Sequence, residues 1–266
     1  MKKLLFLLFL ITIPSATVSI AAQNSALSDE TLTQVSTIQA LTAGDYEGVM
    51  TVGSLLSYGD TGLGTFDNLN GEMIVLDGVC YQAESDGKVI KAGADVTVPF
   101  ACVTKFNSDF TETFENVPDI TALKNRLSAE IGKYSGNTFY VCRIEGTFNK
   151  VYVRSEYAQK KPFRTLDQVM KTDQTEFTYN SIAGTLVCVY CPAYAAGINA
   201  AGWHIHFISA DKTKGGHVLD ISFASAKASF DKTDNFTMIL PDTESFNSLN
   251  LTEVSKEAVR KVEQGQ

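Results

Sequence analysis

The residues of this chain whose type and spacing most directly suggest chemistry are its histidines. The 266-residue sequence contains only three, His204, His206 and His217. His204 and His206 stand two apart in the apolar run WHIHFI, so on a β-strand both side chains point to the same face. The run that starts at His217 also alternates like a strand, and the polar, glycine-containing segment between the runs is typical of a turn. A hairpin would bring three imidazoles together, which is how catalytic zinc is often held, with a fourth position open.

A pair of histidines two apart is a weak signal by itself, because many strands carry one by chance. A lone histidine is usually a packed or surface residue. Here all three fall on one predicted hairpin and none lies elsewhere, so we interpret them as a metal site. Imidazole ligands suit zinc, iron, copper or nickel, and the spacing alone does not choose among these metals.

The first 22 residues have the pattern of a secretory signal peptide. A basic start, Met1–Lys3, precedes the apolar run Leu4–Ile13, and small residues follow up to Ala21 and Ala22. The apolar run is too short to cross a bilayer, and no later stretch is long and apolar enough to do so. We therefore expect residues 1–22 to be removed, and the mature protein to be secreted or periplasmic with no membrane partner.

Composition sets limits on partners and on covalent cross-links. The formal net charge is −8 and the sequence has no basic run, which argues against a nucleic-acid partner. An odd number of cysteines leaves at least one thiol unpaired, and we interpret them as buried structural residues whose possible disulfide pairing the sequence does not give. They are Cys80, Cys102, Cys142, Cys188 and Cys191.

The pattern of apolar residues predicts a strand-rich α+β fold with few helices. We expect helices over residues 32–43 and 120–131, the second with Asp119 near its start. A soft boundary at residues 160–172 divides the chain into an N-terminal α+β domain with a mixed sheet, 23–172, and a C-terminal part, 173–266. The second part is predicted to be a smaller β-barrel-like domain that carries the histidine hairpin and a helix-like charged tail.

Three charged residues stand in predicted strands. Glu72 opens an apolar strand, where its default interpretation is an edge residue in water. Arg143 and Arg154 lie within strand-like runs, and an arginine buried in a strand needs a carboxylate partner or an anionic ligand. Structural ion pairing is the default interpretation for both arginines.

Several segments of the chain together resemble the acetolactate decarboxylase family. They are residues 59–66 (GDTGLGTF), 69–74 (LNGEMI), 143–146 (RIEG), 192–198 (PAYAAGI) and the histidine hairpin. The resemblance extends from about residue 34 to residue 263, and Thr61 departs from the aromatic residue expected at its position. It implies a dimeric, two-domain zinc lyase that converts 2-acetolactate to acetoin and carbon dioxide.

The resemblance also implies a role for each site residue. It places the zinc ligands at the three histidines, the catalytic groups at Glu72, Arg154 and Glu263, and a substrate-orienting hydroxyl at Thr65. Glu263 is matched by its distance from His217 in a loosely defined tail, so Glu253 and Glu257 stay open as alternatives. Arg143 stays open as the alternative to Arg154.

The chemistry of the substrate agrees with this ligand set. Acetolactate is a β-keto acid, and loss of carbon dioxide leaves an enediolate. A metal that chelates the hydroxyl and keto oxygens would stabilise this species as a Lewis acid, without an organic cofactor. A nearby carboxyl or guanidinium group would deliver the proton, and arginine offers a fork of donors to a carboxylate.

Two other classes of protein could use the same three histidines. A cupin-type oxygenase normally adds a glutamate ligand a few residues after the histidine pair, where this chain offers only Asp211. A secreted binding protein with a structural zinc needs a fourth protein ligand, and no nearby cysteine or acid clearly supplies one.

Overall fold

The computed structural model describes residues 29–253, and within them strands predominate over short helices. The strands are β1 Thr31–Val35, β2 Met50–Thr51, β3 Thr61–Thr65, β4 Glu72–Leu76, β5 Val79–Ala83, β6 Val89–Lys91, β7 Thr97–Val98, β8 Ala101–Thr104, β9 Phe110–Val117, β10 Phe139–Glu156, β11 Gln174–Cys191, β12 Gly202–Ser209, β13 Gly215–Thr233 and β14 Asn235–Ile239. The α-helices are α1 Ile38–Thr42, α2 Val52–Leu55, α3 Ile120–Gly132, α4 Leu166–Val169 and α5 Glu244–Ser248. Short 3-10 helices cover Asp67–Leu69, Ala193–Ala195 and Leu251–Glu253. The predicted strand-rich α+β class is confirmed.

The first sheet is mixed and has the strand order β14-β1-β8-β3-β4-β5-β6. β1 runs parallel to β14, and the other neighbours are antiparallel. Every residue of β1, β3, β4 and β8 is buried. Both faces of these central strands are therefore covered, which explains why their residues are mostly apolar or small, with Gln34 and Glu72 as exceptions.

The second sheet has the order β10-β11-β12-β13-β9, and β13 also pairs with β10. β10 and β11 form a long antiparallel hairpin that pairs from Tyr140 and Tyr190 to Glu156 and Gln174. Aromatic and aliphatic side chains from this sheet form the largest core cluster, and α3 packs against it. β4 of the first sheet packs against β12 and β13, so the histidine hairpin lies where the two sheets meet.

The predicted boundary at residue 172 does not coincide with these sheets. It falls in the connection between β10 and β11, which are hydrogen-bonded partners, and β14 returns to the first sheet after β13. The second sheet is therefore not confined to residues 173–266 as expected, because it takes β9 and β10 from the preceding chain. Strands separated by many residues pair according to which edges are free, and the local sequence pattern does not report this.

One of the two predicted helices is confirmed, and only the second half of the other is helical. α3 begins after Asp119, whose carboxylate accepts a hydrogen bond from the Ala122 amide at 2.8 Å, as expected for an N-cap. The helix predicted over residues 32–43 is instead strand β1 followed by the short α1, which Thr37 caps. The β-branched residues of β1 favour a strand, and tertiary pairing with β8 and β14 fixes it.

None of the helices within residues 29–253 is long and apolar enough to span a membrane. The predicted signal peptide and the tail acids Glu257 and Glu263 lie outside the described residues.

Candidate active site

The three histidines meet on the β12–β13 hairpin as their spacing predicted. His206 and His217 are direct partners in the antiparallel register, and His204 precedes His206 by two positions on the same face. Trp203, Ile205 and Phe207 alternate with them and pack into the largest core cluster. The apolar face of β12 therefore anchors the strand, and its other face presents the imidazoles.

One ring nitrogen from each histidine faces the others. His204 Nε2 lies 3.0 Å from His206 Nε2 and 3.1 Å from His217 Nδ1. The other nitrogen of His206, Nδ1, lies 2.8 Å from the Met73 carbonyl oxygen. A carbonyl only accepts hydrogen bonds, so Nδ1 carries the proton and Nε2 offers its lone pair to the cluster.

This arrangement fits a tetrahedral metal ion. Zinc–nitrogen bonds of about 2.0–2.1 Å at tetrahedral angles would put ligand nitrogens about 3.4 Å apart, close to the separations here. Burial, reinforced by the charge of Arg154, lowers the pKa of His204 to about 3. Burial likewise lowers the pKa values of His206 and His217 well below the usual range. Neutral imidazoles are the form that binds a metal.

Gly216 allows the hairpin to approach β10 closely. Its φ is +145°, and a Cβ atom added there would lie 2.6 Å from the Arg154 carbonyl oxygen. A larger residue would push His217 away from Arg154, its partner in the β10–β13 register. The sequence Gly215–Gly216 before His217 thus contributes directly to the geometry of the site.

Thr65 and Glu72 reach the histidines from the first sheet. They are register partners on β3 and β4, and both are buried. Glu72 Oε2 lies 3.3 Å from His206 Nε2, so the default interpretation of Glu72 as an edge residue in water is wrong. Thr65 Oγ1 donates a hydrogen bond to the Gly71 carbonyl oxygen at 2.7 Å. The structure therefore brings both predicted residues to the histidine cluster.

The two candidate arginines have different surroundings. Arg154 is buried beside His217, and its Nε atom lies 3.3 Å from Glu156 Oε1. Arg143 instead forms an ion pair with Asp77 at 2.7 Å and contacts the ring of Phe106. Arg143 therefore lies away from the histidines, and of the two arginines it is Arg154 that lines the cavity beside them.

A small cavity opens beside the histidines. Its wall combines polar and apolar residues. The polar residues are Thr65, Glu72, Arg154, Glu156, His204 and His217, and the others are Leu41, Gly64, Leu69, Phe100, Leu166 and Met170. A small cavity lined by side chains in this way suits a small organic molecule rather than a polymer. The charged and imidazole groups of the cavity wall would orient a small polar ligand.

Glu156 is a site residue that sequence reasoning missed. It stands two residues after Arg154 on β10 and is almost completely buried, with 1% of its surface exposed. The sequence did hold a signal, since Arg154 and Glu156 share one face of a strand and could pair there. The carboxylate partner expected for a buried Arg154 therefore stands only two positions further along the chain.

Other predicted features lie away from the cavity. Asp211 stands in the turn between β12 and β13 and accepts hydrogen bonds from Ser209 Oγ at 2.6 Å and the Thr213 amide at 3.1 Å. The five cysteines are buried free thiols, as their interpretation as structural residues requires. Cys188 and Cys191 of the CxxC sequence belong to different core clusters, so they do not form a redox pair.

Comparison with known proteins agrees with the site. The sequence model described as alpha-acetolactate decarboxylase matches residues 32–253. The chain belongs to the alpha-acetolactate decarboxylase family. The alpha-acetolactate decarboxylase of Methanosarcina mazei is 39% identical over 236 residues, covering 89% of this chain and 81% of the relative. That of Brevibacillus brevis is 39% identical over 232 residues, covering 87% of this chain and 80% of the relative.

A crystal structure of alpha-acetolactate decarboxylase from Bacillus subtilis strain 168 has the same fold. It superposes with a TM-score of 0.84 at 32% sequence identity, covering 88% of this chain and 99% of that chain. The family match includes the histidine hairpin, Thr65, Glu72 and the end of β10. The cavity described above therefore lies wholly within the region that this chain shares with the decarboxylase family.

Proposed function

We propose that this chain is a zinc-dependent decarboxylase that converts 2-acetolactate to acetoin and carbon dioxide. The observation that carries the proposal is the convergence of three neutral imidazole nitrogens in a small cavity that also holds a buried arginine. Family membership supplies the reaction, and this geometry supports a metal centre with an open side. A closed structural zinc would instead need a fourth protein ligand.

His204 Nε2, His206 Nε2 and His217 Nδ1 would hold the zinc ion. When bound, zinc supplies Lewis acidity toward the oxygens next to the bond that breaks. The Met73 carbonyl contributes by holding His206 in the tautomer whose Nε2 faces the cluster. Burial of all three rings keeps them unprotonated, so the ligand set is ready at neutral pH.

The remaining residues bind the substrate and handle the proton. The guanidinium of Arg154 would bind the substrate carboxylate through its fork of donors. Thr65 Oγ1 donates its hydrogen bond to the Gly71 carbonyl oxygen. Its lone pairs would therefore accept a hydrogen bond from the substrate hydroxyl. Glu72 Oε2, beside the histidines, would hold the proton that replaces carbon dioxide on the product. The apolar wall residues around Phe100 would exclude water from the carbanionic stage.

Turnover of acetolactate by the metal-loaded protein tests the proposal. Racemic 2-acetolactate should yield acetoin, and His206→Ala should lose both bound metal and activity. Asp211→Asn, in the exposed turn of the same hairpin, is the matched control and should keep both. Full metal occupancy in His206→Ala would contradict the ligand assignment, and no acetoin from the zinc-loaded wild type would contradict the reaction.

We further propose that the protein is exported and dimeric. The basic and apolar pattern of residues 1–22 supports export, and the family resemblance supports a homodimer. The net charge of −8 supports a small-molecule substrate over nucleic acid. Mass spectrometry should find a mature N-terminus at Ala22 or Gln23, and light scattering should give twice the chain mass. An intact Met1 or a monomer would refute the respective proposal.

A further inference from the structure

A buried carboxylate stands immediately behind the arginine of the cavity. Glu156 is the last residue of β10 and lies in the cavity wall beside Arg154. Its side chain is 1% exposed and that of Arg154 is 6% exposed, and Glu156 Oε1 lies 3.3 Å from Arg154 Nε. Two opposite charges removed from water in this way must compensate each other, because either one alone would be costly.

The contact uses one particular edge of the guanidinium. Arginine has five N–H donors, of which only one is on Nε. Glu156 takes the Nε side, so the ion pair does not occupy the four N–H groups on the two terminal nitrogens. Those two nitrogens form the fork that binds a carboxylate with two parallel hydrogen bonds.

The strand end that carries both charges is itself fixed to the first sheet. Ser155, between Arg154 and Glu156, donates a hydrogen bond from Oγ to the Ala83 carbonyl oxygen at 2.7 Å. Arg154 is also held by its register pairing with His217 on β13. The backbone of the pair is therefore rigid, and the orientation of the guanidinium depends on what its side chain contacts.

Glu156 is also close enough to the apolar core to act on the buried Tyr46. Burial and the nearby negative charge of Glu156 raise the pKa of Tyr46, which keeps this phenol neutral. Tyr46 is fully buried in the cluster that includes Leu41, Leu69 and Phe100 of the cavity wall. A carboxylate enclosed in this way has little freedom to move away from Arg154.

We propose that Glu156 is a positioning residue, which fixes the guanidinium of Arg154 so that its terminal nitrogens face a substrate carboxylate. The inference rests on the proposed function for the identity of that carboxylate. It deepens that function by assigning a second, supporting member to the anion-binding part of the site. Glu156 acts through Arg154 and does not itself contact the reacting atoms.

Two substitutions separate positioning from simple charge balance. Glu156→Asp keeps the negative charge but withdraws the carboxylate by one methylene, and Glu156→Gln keeps the length but removes the charge. Both should lower kcat/KM by about 10²-fold, the effect of a misplacement of about 1 Å in a site. If Glu156 only balances charge for folding, Glu156→Asp should turn over at the wild-type rate, and this would overturn the proposal.

The double variant tests whether the effect passes through Arg154. In an Arg154→Lys background, Glu156→Asp should change kcat/KM by less than about 2-fold, because the fork that it positions is already gone. Effects that instead multiply would mean that Glu156 acts independently of Arg154. Glu176→Gln is the matched control, because Glu176 is opposite Arg154 in the β10–β11 register but is exposed and accepts a hydrogen bond from Tyr152. This control should leave kcat/KM unchanged.

A measurement on the arginine itself keeps the test independent of the reaction. The chain has only five arginines, so the Nε–H signal of Arg154 can be assigned in a proton–nitrogen NMR spectrum by its loss in Arg154→Lys. This signal should shift in Glu156→Asp and Glu156→Gln and stay in place in Glu176→Gln. An unmoved signal refutes the positioning role even if the protein does not decarboxylate acetolactate, and an inactive wild type with a shifted signal refutes only the proposed reaction.

Discussion

Replacement of Arg154 by lysine tests how the site holds its substrate. Lysine keeps the positive charge but lacks the planar fork, so a bound carboxylate loses one of two parallel charge-assisted hydrogen bonds. Such a bond contributes about 1.5–3 kcal/mol, and the residue is only 5% exposed, so water does not readily replace it. At about 1.4 kcal/mol for each tenfold change, kcat/KM should fall about 10- to 150-fold.

The assay is the initial rate of acetoin formation over a range of acetolactate concentrations, with zinc content measured on the same samples. Arg143→Lys is the matched control, because Arg143 also lies on β10 but pairs with Asp77 away from the cavity. It should leave kcat/KM unchanged, and zinc should stay bound in both variants. The reasoning would be refuted if Arg154→Lys were silent while Arg143→Lys lost activity.

Further substitutions test the proton-transfer group, the tail glutamates and a buried aspartate of the core. Glu72→Gln should keep zinc and the fold but lower kcat about 10²- to 10⁴-fold, the usual contribution of a proton-transfer group, and a wild-type rate would remove Glu72 from that role. Glu263→Gln should lower the rate in the same assay, whereas a loss confined to Glu257→Gln would move the tail assignment by six residues. Burial raises the pKa of Asp231 to about 7 from 3.8, so its contribution to stability is full below pH 3.8 and is lost as the pH rises to 7. The loss amounts to about 4 kcal/mol of unfolding free energy. In urea unfolding, the stability of Asp231→Asn relative to wild type should therefore increase as the pH rises from 5 to 7. Above pH 7 this difference should stay constant. Parallel pH profiles would contradict this cause.

The histidine cluster was predictable because its geometry is local. His204 and His206 share a strand face by simple alternation, and a short turn brings His217 opposite His206. Each of these features depends on residues within one hairpin, so no knowledge of distant pairing is needed.

The rest of the site depends on contacts between the two sheets. Glu72 opens an apolar strand, and nothing in its neighbours tells whether that end faces water or the histidines. Only the packing of β4 against β12 and β13 decides this. Choosing Arg154 over Arg143 needed the family resemblance, since both stand in strand-like runs. The structure supplies a physical reason, because only Arg154 is a register partner of His217.

The errors in the fold have the same origin. β10 and β11 are long strands that each continue without a break through a glycine, and these two glycines, Gly146 and Gly184, are paired with each other. Because glycine is also typical of turns and bulges, only the pairing with the partner strand shows that these two glycines lie within continuous strands. The first part of the helix expected over residues 32–43 is instead strand β1, because Thr31–Val35 pairs with β8 and β14, which lie far away in the sequence.

The most direct test of the central claim is a zinc titration of the chelator-stripped protein, with acetoin formation from 2-acetolactate as the readout. Three histidine nitrogens that form one ligand set predict that activity is absent without metal. Activity should then rise linearly and reach its plateau at one zinc per chain. Full acetoin formation by the stripped protein, or no acetoin formation at any zinc content, would contradict the account.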